Sequence, residues 1–412
     1  MNRLANMISE LCPDGVEYKT IGEIATDIFR GSGIKRDDIT EYGIPCVRYG
    51  EIYTTYNIWF DKCISHVQLN KVQSPKYFEY GDILFAITGE SIEDIAKSVA
   101  YVGHDKCLAG GDIVVVKHNQ DPKYLSYALS TMNAQKQKSA GKVKSKVVHA
   151  SVPSISGIVI PVPPLPVQHE IVRILDSFTE LTAELTAELT ARKKQYEYYR
   201  EQLMKFDDVP YVPIDSLFPF IRNGFVGPVT KVFTDKENGI RYLEGTNIHN
   251  GVISDNEELY VTKEFHNKHI KNELKADDIL MVQSGHIGEC AVVGEKYKGA
   301  NCHALIIMSN AGKCVSKFYV HYFHTMEGMR HLKPAITDGN LKHVLSKKMC
   351  FVKVPYPPIE DQIRIVNLLD RFEVLCNDIT NGLPAEIEAR QKQYEYYRDK
   401  LLTFRQKEEV SA

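Results

Sequence analysis

Lys194-Gln195-Tyr196-Glu197-Tyr198-Tyr199-Arg200 returns, letter for letter, as Lys392-Gln393-Tyr394-Glu395-Tyr396-Tyr397-Arg398. The copies lie 198 positions apart in a chain of 412 residues, so the protein reads as one unit written twice. Working outward, Ile160-Pro161-Val162-Pro163-Pro164 returns as Val354-Pro355-Tyr356-Pro357-Pro358. Gln168, Ile171, Val172, Leu175, Asp176 and Phe178 return as Gln362, Ile365, Val366, Leu369, Asp370 and Phe372. The offset is 194 there and 198 further on, which adds one helical turn to the second copy.

The quoted strings sit on helices. From Gln168 to Phe206, Phe178, Leu181, Leu185, Leu189, Tyr196, Tyr199, Leu203 and Phe206 step by threes and fours, with Arg192 in the missing place. That is a coiled-coil seam. Leu383, Ile387, Tyr394, Tyr397, Leu401 and Phe404 keep the rhythm in the second copy, where Asn381-Gly382 and Pro384 predict an interruption near Leu383. Long helices with one apolar stripe need a partner. Antiparallel pairing with each other, giving a rod with one globular unit at each end, is the economical expectation.

The globular units repeat one order at low identity. Strands are predicted at Pro45 to Tyr49, Ile83 to Ile87, Val99 to Val102 and Ile113 to Lys117, and a helix near Lys123 to Met132. Ala304 to Met308 and a helix from Lys317 to Met329 take the matching places in the second unit. Gly81-Asp82-Ile83-Leu84 matches Asp277-Asp278-Ile279-Leu280, and Thr88-Gly89 matches Ser284-Gly285, while most residues between differ. One scaffold thus carries two surfaces. The fold class expected is α+β: two repeated mixed α/β domains separated by two long helices that pair as an antiparallel coiled coil. The divisions fall at 1–166, 167–207, 208–358 and 359–412.

The nine cysteines form no C-x-x-C pair, so neither a zinc knuckle nor a disulfide framework is indicated, and a reducing cytoplasm fits. No span suits a bilayer. Net charge is −3, but its distribution says more. Pro122 to His169 holds no acid, yet carries Lys123, Lys136, Lys138, Lys142, Lys144 and Lys146. His331 to Ile359 sets one acid, Asp338, against Lys333, Lys342, Lys347, Lys348 and Lys353. Two basic stripes in equivalent places fit phosphate contact better than two merely solvated loops.

Three motifs imitate catalysis. Phe29-Arg30-Gly31-Ser32-Gly33 has the F-x-G-x-G form of an S-adenosylmethionine turn, but no apolar helical period follows and no Asp/Asn-Pro-Pro-aromatic tetrapeptide exists. Its glycines shape a loop. Pro13-Asp14 with Glu17-Tyr18-Lys19 is too closely spaced to gather a nuclease metal site and reads as a strand start. His149 and His343 follow the two stripes without a convergent carboxylate or cysteine, which suits hydrogen bonding near a DNA backbone or in the core.

The order of unit, helix with Ala191-Arg192-Lys193-Lys194-Gln195-Tyr196, unit, and helix with Leu383-Pro384-Ala385-Glu386-Ile387 resembles the specificity subunit of type I restriction–modification systems. Cys12-Pro13-Asp14-Gly15-Val16-Glu17-Tyr18 is similar to the family's entry, and Thr182-Ala183-Glu184-Leu185 suggests the branch with tetrapeptide spacer repeats. The resemblance covers the whole chain. It implies two target-recognition domains reading the halves of a bipartite, asymmetric site on double-stranded DNA. It implies a spacer docking two methyltransferase subunits that hold S-adenosylmethionine and flip and methylate adenine. A restriction subunit would join with ATP and Mg, and this chain would bind no cofactor or metal and catalyse nothing. Rival readings are a protein-binding scaffold without DNA readout and a self-sufficient DNA methyltransferase.

Within that resemblance, base contacts are expected from Arg30, Ser32, Lys35, Arg36, Arg48, Tyr49, Glu51 and Thr88 in the first unit. The second offers Arg222, Asn223, Arg241, Glu244, Thr246, Asn247, Ser284 and His286. Arg can fork onto guanine and Asn onto adenine. Lys142, Lys144, Lys146, Lys342 and His343 are expected at DNA as well. Phe178, Leu185, Leu189, Tyr196, Tyr199, Leu203, Phe372, Leu383, Ile387, Tyr394, Tyr397 and Leu401 are expected at helix or partner-subunit interfaces.

Overall fold

The computed structural model describes residues 2–89, 91–92, 94–140, 148–338, 342–377 and 382–408. The chain packs as two compact units: Met1–Thr186 with Ile387–Ala412, and Ala187–Glu386.

In the first unit Ile83–Ala86 is buried along its whole length, because side chains on both faces of its sheet are covered. Ile83, Phe85, Val114 and Val116 enter one core, while Leu84, Ala86, Ile113 and Val115 enter another. The strands run in the order Ala25–Arg30, Ile113–His118, Ile83–Ala86, Ser98–Tyr101, Trp59–Phe60. A second sheet orders Ile39–Thr40, Ser65–Val67, Ile44–Val47, Cys107–Ala109 and Tyr77–Phe78.

The second unit repeats this frame within its own bounds. Its first sheet orders Phe220–Asn223, Leu305–Ser309, Ile279–Val282 and Cys290–Val292. Its second orders Phe233–Thr234, Leu259–Thr262, Gly239–Leu243 and Asn301–Cys302. Ile279 and Met281 face one core and Leu280 and Val282 the other, the same alternation as in the first unit.

Two sequence expectations need correction. Pro45 to Tyr49 is strand only as far as Val47, and Tyr49–Thr54 is a short helix, since the Glu51 carboxylate accepts the Arg48 amide and starts a turn. The helices at Lys123 and Lys317 are each two. Pro122–Leu129 gives way to Met132–Ser139 where Thr131 caps Ala134, and Ser316–Phe323 to Met326–Leu332 where Thr325 caps Gly328. The Tyr18 segment is a strand, pairing Tyr18 with Pro161 just as Tyr211 pairs with Pro355.

One helix, Leu165–Leu203, passes from the first unit into the second; Ile359–Asn377 and Leu383–Leu401 form the second copy, and residues 378–381 between them lie outside the described residues. The repeated glutamines explain how each helix is seated. Gln168 is fully buried, donating to Pro163 O at 2.7 Å and accepting the Asp121 amide at 3.0 Å. Gln362 likewise donates to Pro357 O at 2.9 Å and accepts the Val315 amide at 2.9 Å.

The far end of each helix completes the other unit. In the first, Tyr394 packs against Tyr127, and Tyr397 stacks on Phe178 at 5.5 Å. In the second, Tyr196 meets His321 and Phe372, and Tyr199 meets Phe372 at 5.7 Å. The last residues then return to the first: Tyr18 donates to Phe404 O at 3.1 Å, and Val16 bridges Gln406. Gly15 permits this closure, since it has φ +102° and a Cβ there would lie 2.6 Å from Arg405 O.

Candidate nucleic-acid interface

Three matched places carry the residues singled out by sequence. The first is the end of an edge strand. Arg30 pairs across to Val114, and Asn223 to Ile306, so the two occupy one position of the repeated frame. The next residue is glycine in both. A Cβ on Gly31 would stand 2.3 Å from Gly110 O, and one on Gly224 2.5 Å from Cys302 O. Gly31 of the F-x-G-x-G string therefore admits a neighbouring backbone, and no helix of the S-adenosylmethionine type follows, only a turn at Arg36–Asp38. Arg30 is exposed and paired with Asp112 at 2.7 Å. Asn223 leaves its Oδ1 buried without a partner.

The second place is a capped turn. Glu51 accepts the Arg48 amide at 3.0 Å, and Asn247 accepts the Glu244 amide at 2.9 Å. Both capping side chains are buried, while the residues they hold, Arg48 and Glu244, are half-buried and opposite in charge. Arg48, Arg36, Tyr49 and Thr54 line one open cleft with Gly110, Gly111 and Asp112. Tyr49 also borders a second cleft with Tyr53, Thr88, Ser91 and Asp94. Arg30 reaches the first cleft through Asp112, and exposed Lys35 precedes Arg36 at the start of its turn.

The third place joins a strand end to the segment after each basic stripe. Thr88 meets His149, with Oγ1 and Nδ1 3.2 Å apart, and Ser284 bridges His343. The His343 amide donates to Thr337 Oγ1. Lys342, Thr246, Ser284 and His286 are exposed, and the His286 ring lies 6.3 Å from His249, a residue the sequence did not mark.

Several expected readers instead hold the frame. Ser32 is buried and donates to Ser74 O at 2.5 Å. Glu51 takes the Ser65 hydroxyl at 2.6 Å besides its cap, and Asn247 donates to Asn256 O at 2.7 Å. Arg222 bonds Ser309 and Glu273 O and neutralises buried Asp278. In the first unit the matching buried carboxylate, Asp82, is held by Lys117 at 2.9 Å. Arg241 donates to Tyr242 O and Leu259 O, its Nη2 buried. These side chains are committed before any ligand arrives.

The first stripe also divides. Lys123 pairs with Asp176 and lies over Trp59, and Lys138 is buried against Ser98 and Phe85, where desolvation pushes its pKa down to about 7. Both are engaged within the unit. Lys136 is exposed, and Lys142, Lys144 and Lys146 lie outside the described residues. In the second stripe Lys333, Lys342, Lys347, Lys348 and Lys353 are all exposed.

On the helices, Tyr196, Tyr394 and Leu383 are buried, and Phe178, Leu185, Leu189, Leu203, Phe372, Ile387, Tyr397 and Leu401 half-buried. Tyr199 is 39% exposed although it touches Phe372. Sequence reasoning missed the most exposed aromatic residues of the repeat, Tyr198 and Tyr396, each 61% exposed. Their identical places in the quoted string were the available signal. Among the described residues no helix is long and apolar enough to cross a membrane.

A duplicated scaffold whose matched positions carry unlike side chains defines a recognition subunit. Residues 13–192 and 208–389 each match the type I restriction modification DNA specificity domain, and the chain belongs to that family, whose role is specificity and not catalysis. It is 35% identical over 267 residues to the EcoR124I/EcoR124II specificity subunit of Escherichia coli, covering 60% of this chain and 62% of that one. It is 34% identical over 309 residues to a type I restriction enzyme specificity subunit of Haemophilus influenzae, covering 71% and 74%. A chain of a solved type I R-M system superposes with a TM-score of 0.60 at 16% identity, covering 94% of this chain and 97% of that one. The S subunit from M. genitalium does so with 0.52 at 15%, covering 94% and 96%. These last two likenesses are of fold.

Proposed function

We propose that the chain reads a bipartite, asymmetric DNA site, one half per unit, and seats two adenine methyltransferase subunits on its helices. The observation that carries this reading is the matched turn that presents Arg48 in one unit and Glu244 in the other, each held by a buried cap. An arginine donates to guanine O6 and N7, whereas a glutamate accepts from a cytosine amine, so one frame addresses unlike bases. The exposed lysines beside Ser284 and His343 supply sequence-independent phosphate affinity. Equivalent exposure of Tyr198 and Tyr396 supports two like docking faces. S-adenosylmethionine, ATP and Mg belong on the partner subunits, with restriction subunits joining the same complex.

Methylation mapping of a host carrying the complex tests this. Arg48→Ala is expected to relax or change bases in one half-site, Glu244→Ala in the other, with the spacer length kept. If both variants alter the same half, or neither alters any base, the assignment of one half per unit is wrong.

A further inference from the structure

The two helix-to-unit joints use one polar cluster with two substitutions. In the first unit Lys123 pairs with Asp176 at 2.8 Å, and Tyr127 donates to Asp176 at 2.7 Å beside Thr179. Formal charge there balances. In the second unit the matched residues are Lys317, His321, Asp370 and Glu373, of which Lys317 pairs with Glu373 at 2.9 Å. One ammonium now faces two carboxylates. Glu373 is 8% exposed, and its Oε1 is buried without a hydrogen-bond partner.

His321, Asp370 and Glu373 each bring one donor atom to within 4.8 Å of the others, and His321 Nε2 stands 3.1 Å from Asp370 Oδ1. Asp370 and Glu373 share a helix face by their i, i+3 spacing, and His321 comes from the facing helix Ser316–Phe323. The outer shell is in place: His321 Nδ1 lies 3.3 Å from the Tyr196 hydroxyl, which fixes the ring with Nε2 turned toward Asp370.

We propose that His321, Asp370 and Glu373 form a binding site for a divalent transition metal of the zinc class, which fastens the Tyr196 end of the long helix to the second unit. One imidazole and two carboxylates suit such an ion, with water completing four ligands. Asp370, the most exposed of the three, closes the remaining distance by rotation. The first unit has no such site, because Tyr127 and Thr179 stand where His321 and Glu373 do.

The test loads the full chain with Co²⁺ and follows visible absorption. A four-coordinate spectrum should saturate at one equivalent, vanish on adding Zn²⁺, and be accompanied by a rise in melting temperature. The double variant His321→Tyr with Glu373→Thr copies the first unit's joint, so it should fold with unchanged circular dichroism and lose the spectrum entirely. Asp370→Asn, a milder change, should weaken binding at least about tenfold, the scale of losing a ligand interaction. Absence of saturable binding, or binding that survives in the double variant, overturns the proposal. So does a stability change confined to acid pH and indifferent to metal, which would make the cluster a proton site.

Discussion

Residues that look alike in sequence divide into those that hold the frame and those that the frame presents, once their neighbours are known. Glu51 and Asn247 are buried caps, whereas Arg48 and Glu244 are what those caps present. Glu51→Ala should therefore cost about 2 kcal/mol, from a lost cap and an orphaned Ser65 hydroxyl, read by urea unfolding. Arg48→Ala should alter base preference and also cost stability, about 1–3 kcal/mol, because it removes the guanidinium that stands 3.2 Å from the buried Glu51 carboxylate. The conservative Arg48→Lys, which keeps the charge but not the fork, should recover much of that stability without restoring the base preference; recovery of both would end the distinction between holding and reading. Lys138 makes a further case. Its folded pKa of about 7 lies below the value of 10.5 for a free side chain, so between these values the unfolded chain binds more protons and stability rises with pH. Lys138→Met is expected to stabilise the protein by about 1–3 kcal/mol near pH 7 and to flatten that slope. Melting at pH 7 and pH 9 checks it; an equal pH slope in parent and variant would dismiss the buried-lysine argument.

Among elements, the long helix has a place where length can change at little cost to either core. Thr182-Ala183-Glu184-Leu185 is followed directly by Thr186-Ala187-Glu188-Leu189, and the division between the two units falls between Thr186 and Ala187. Leu185 and Leu189 are only half-buried, and the Thr182 and Thr186 hydroxyls return to the helix's own carbonyls. Four residues add about 6 Å and a net rotation of roughly 40°. B-DNA turns roughly 35° per base pair. Deleting Thr186 to Leu189 should thus shorten the unspecified spacer by about one base pair and leave both half-sites unchanged. Methylation mapping of the deletion strain that finds the same spacer would reduce the tract to ordinary helix sequence.

At the scale of the whole molecule, two independently cored units allow exchange. Replacing residues 209–359 with the corresponding unit of a relative should change one half-site and keep the other. Neutralising Lys342, Lys347 and Lys348 should weaken binding to every sequence and flatten the salt dependence by up to about one unit per lost phosphate contact. An altered base preference with an unchanged salt slope would show that this stripe reads bases. On the sequence pattern, neutralising Lys142, Lys144 and Lys146 together should likewise weaken binding to all sequences and flatten the salt dependence.

Duplication, the two helices, the central strands and the family resemblance were legible in the sequence, because each rests on periodicity or on a long repeated string. Ile83–Ala86 and Ile279–Val282 announce buried strands by continuous apolarity, and the repeated Gln168 and Gln362 mark the same seat twice. Which polar residues face outward was not legible. Ser32 and Arg222 have the chemistry of base readers, yet tertiary packing turns one toward Ser74 O and the other toward Asp278. Which side chains of the first unit meet Tyr394 was also beyond the local pattern, as was the closure of Gln406 onto Val16. Local spacing specifies which face of an element is apolar; only the assembled fold decides what that face meets and which polar groups it leaves for a ligand.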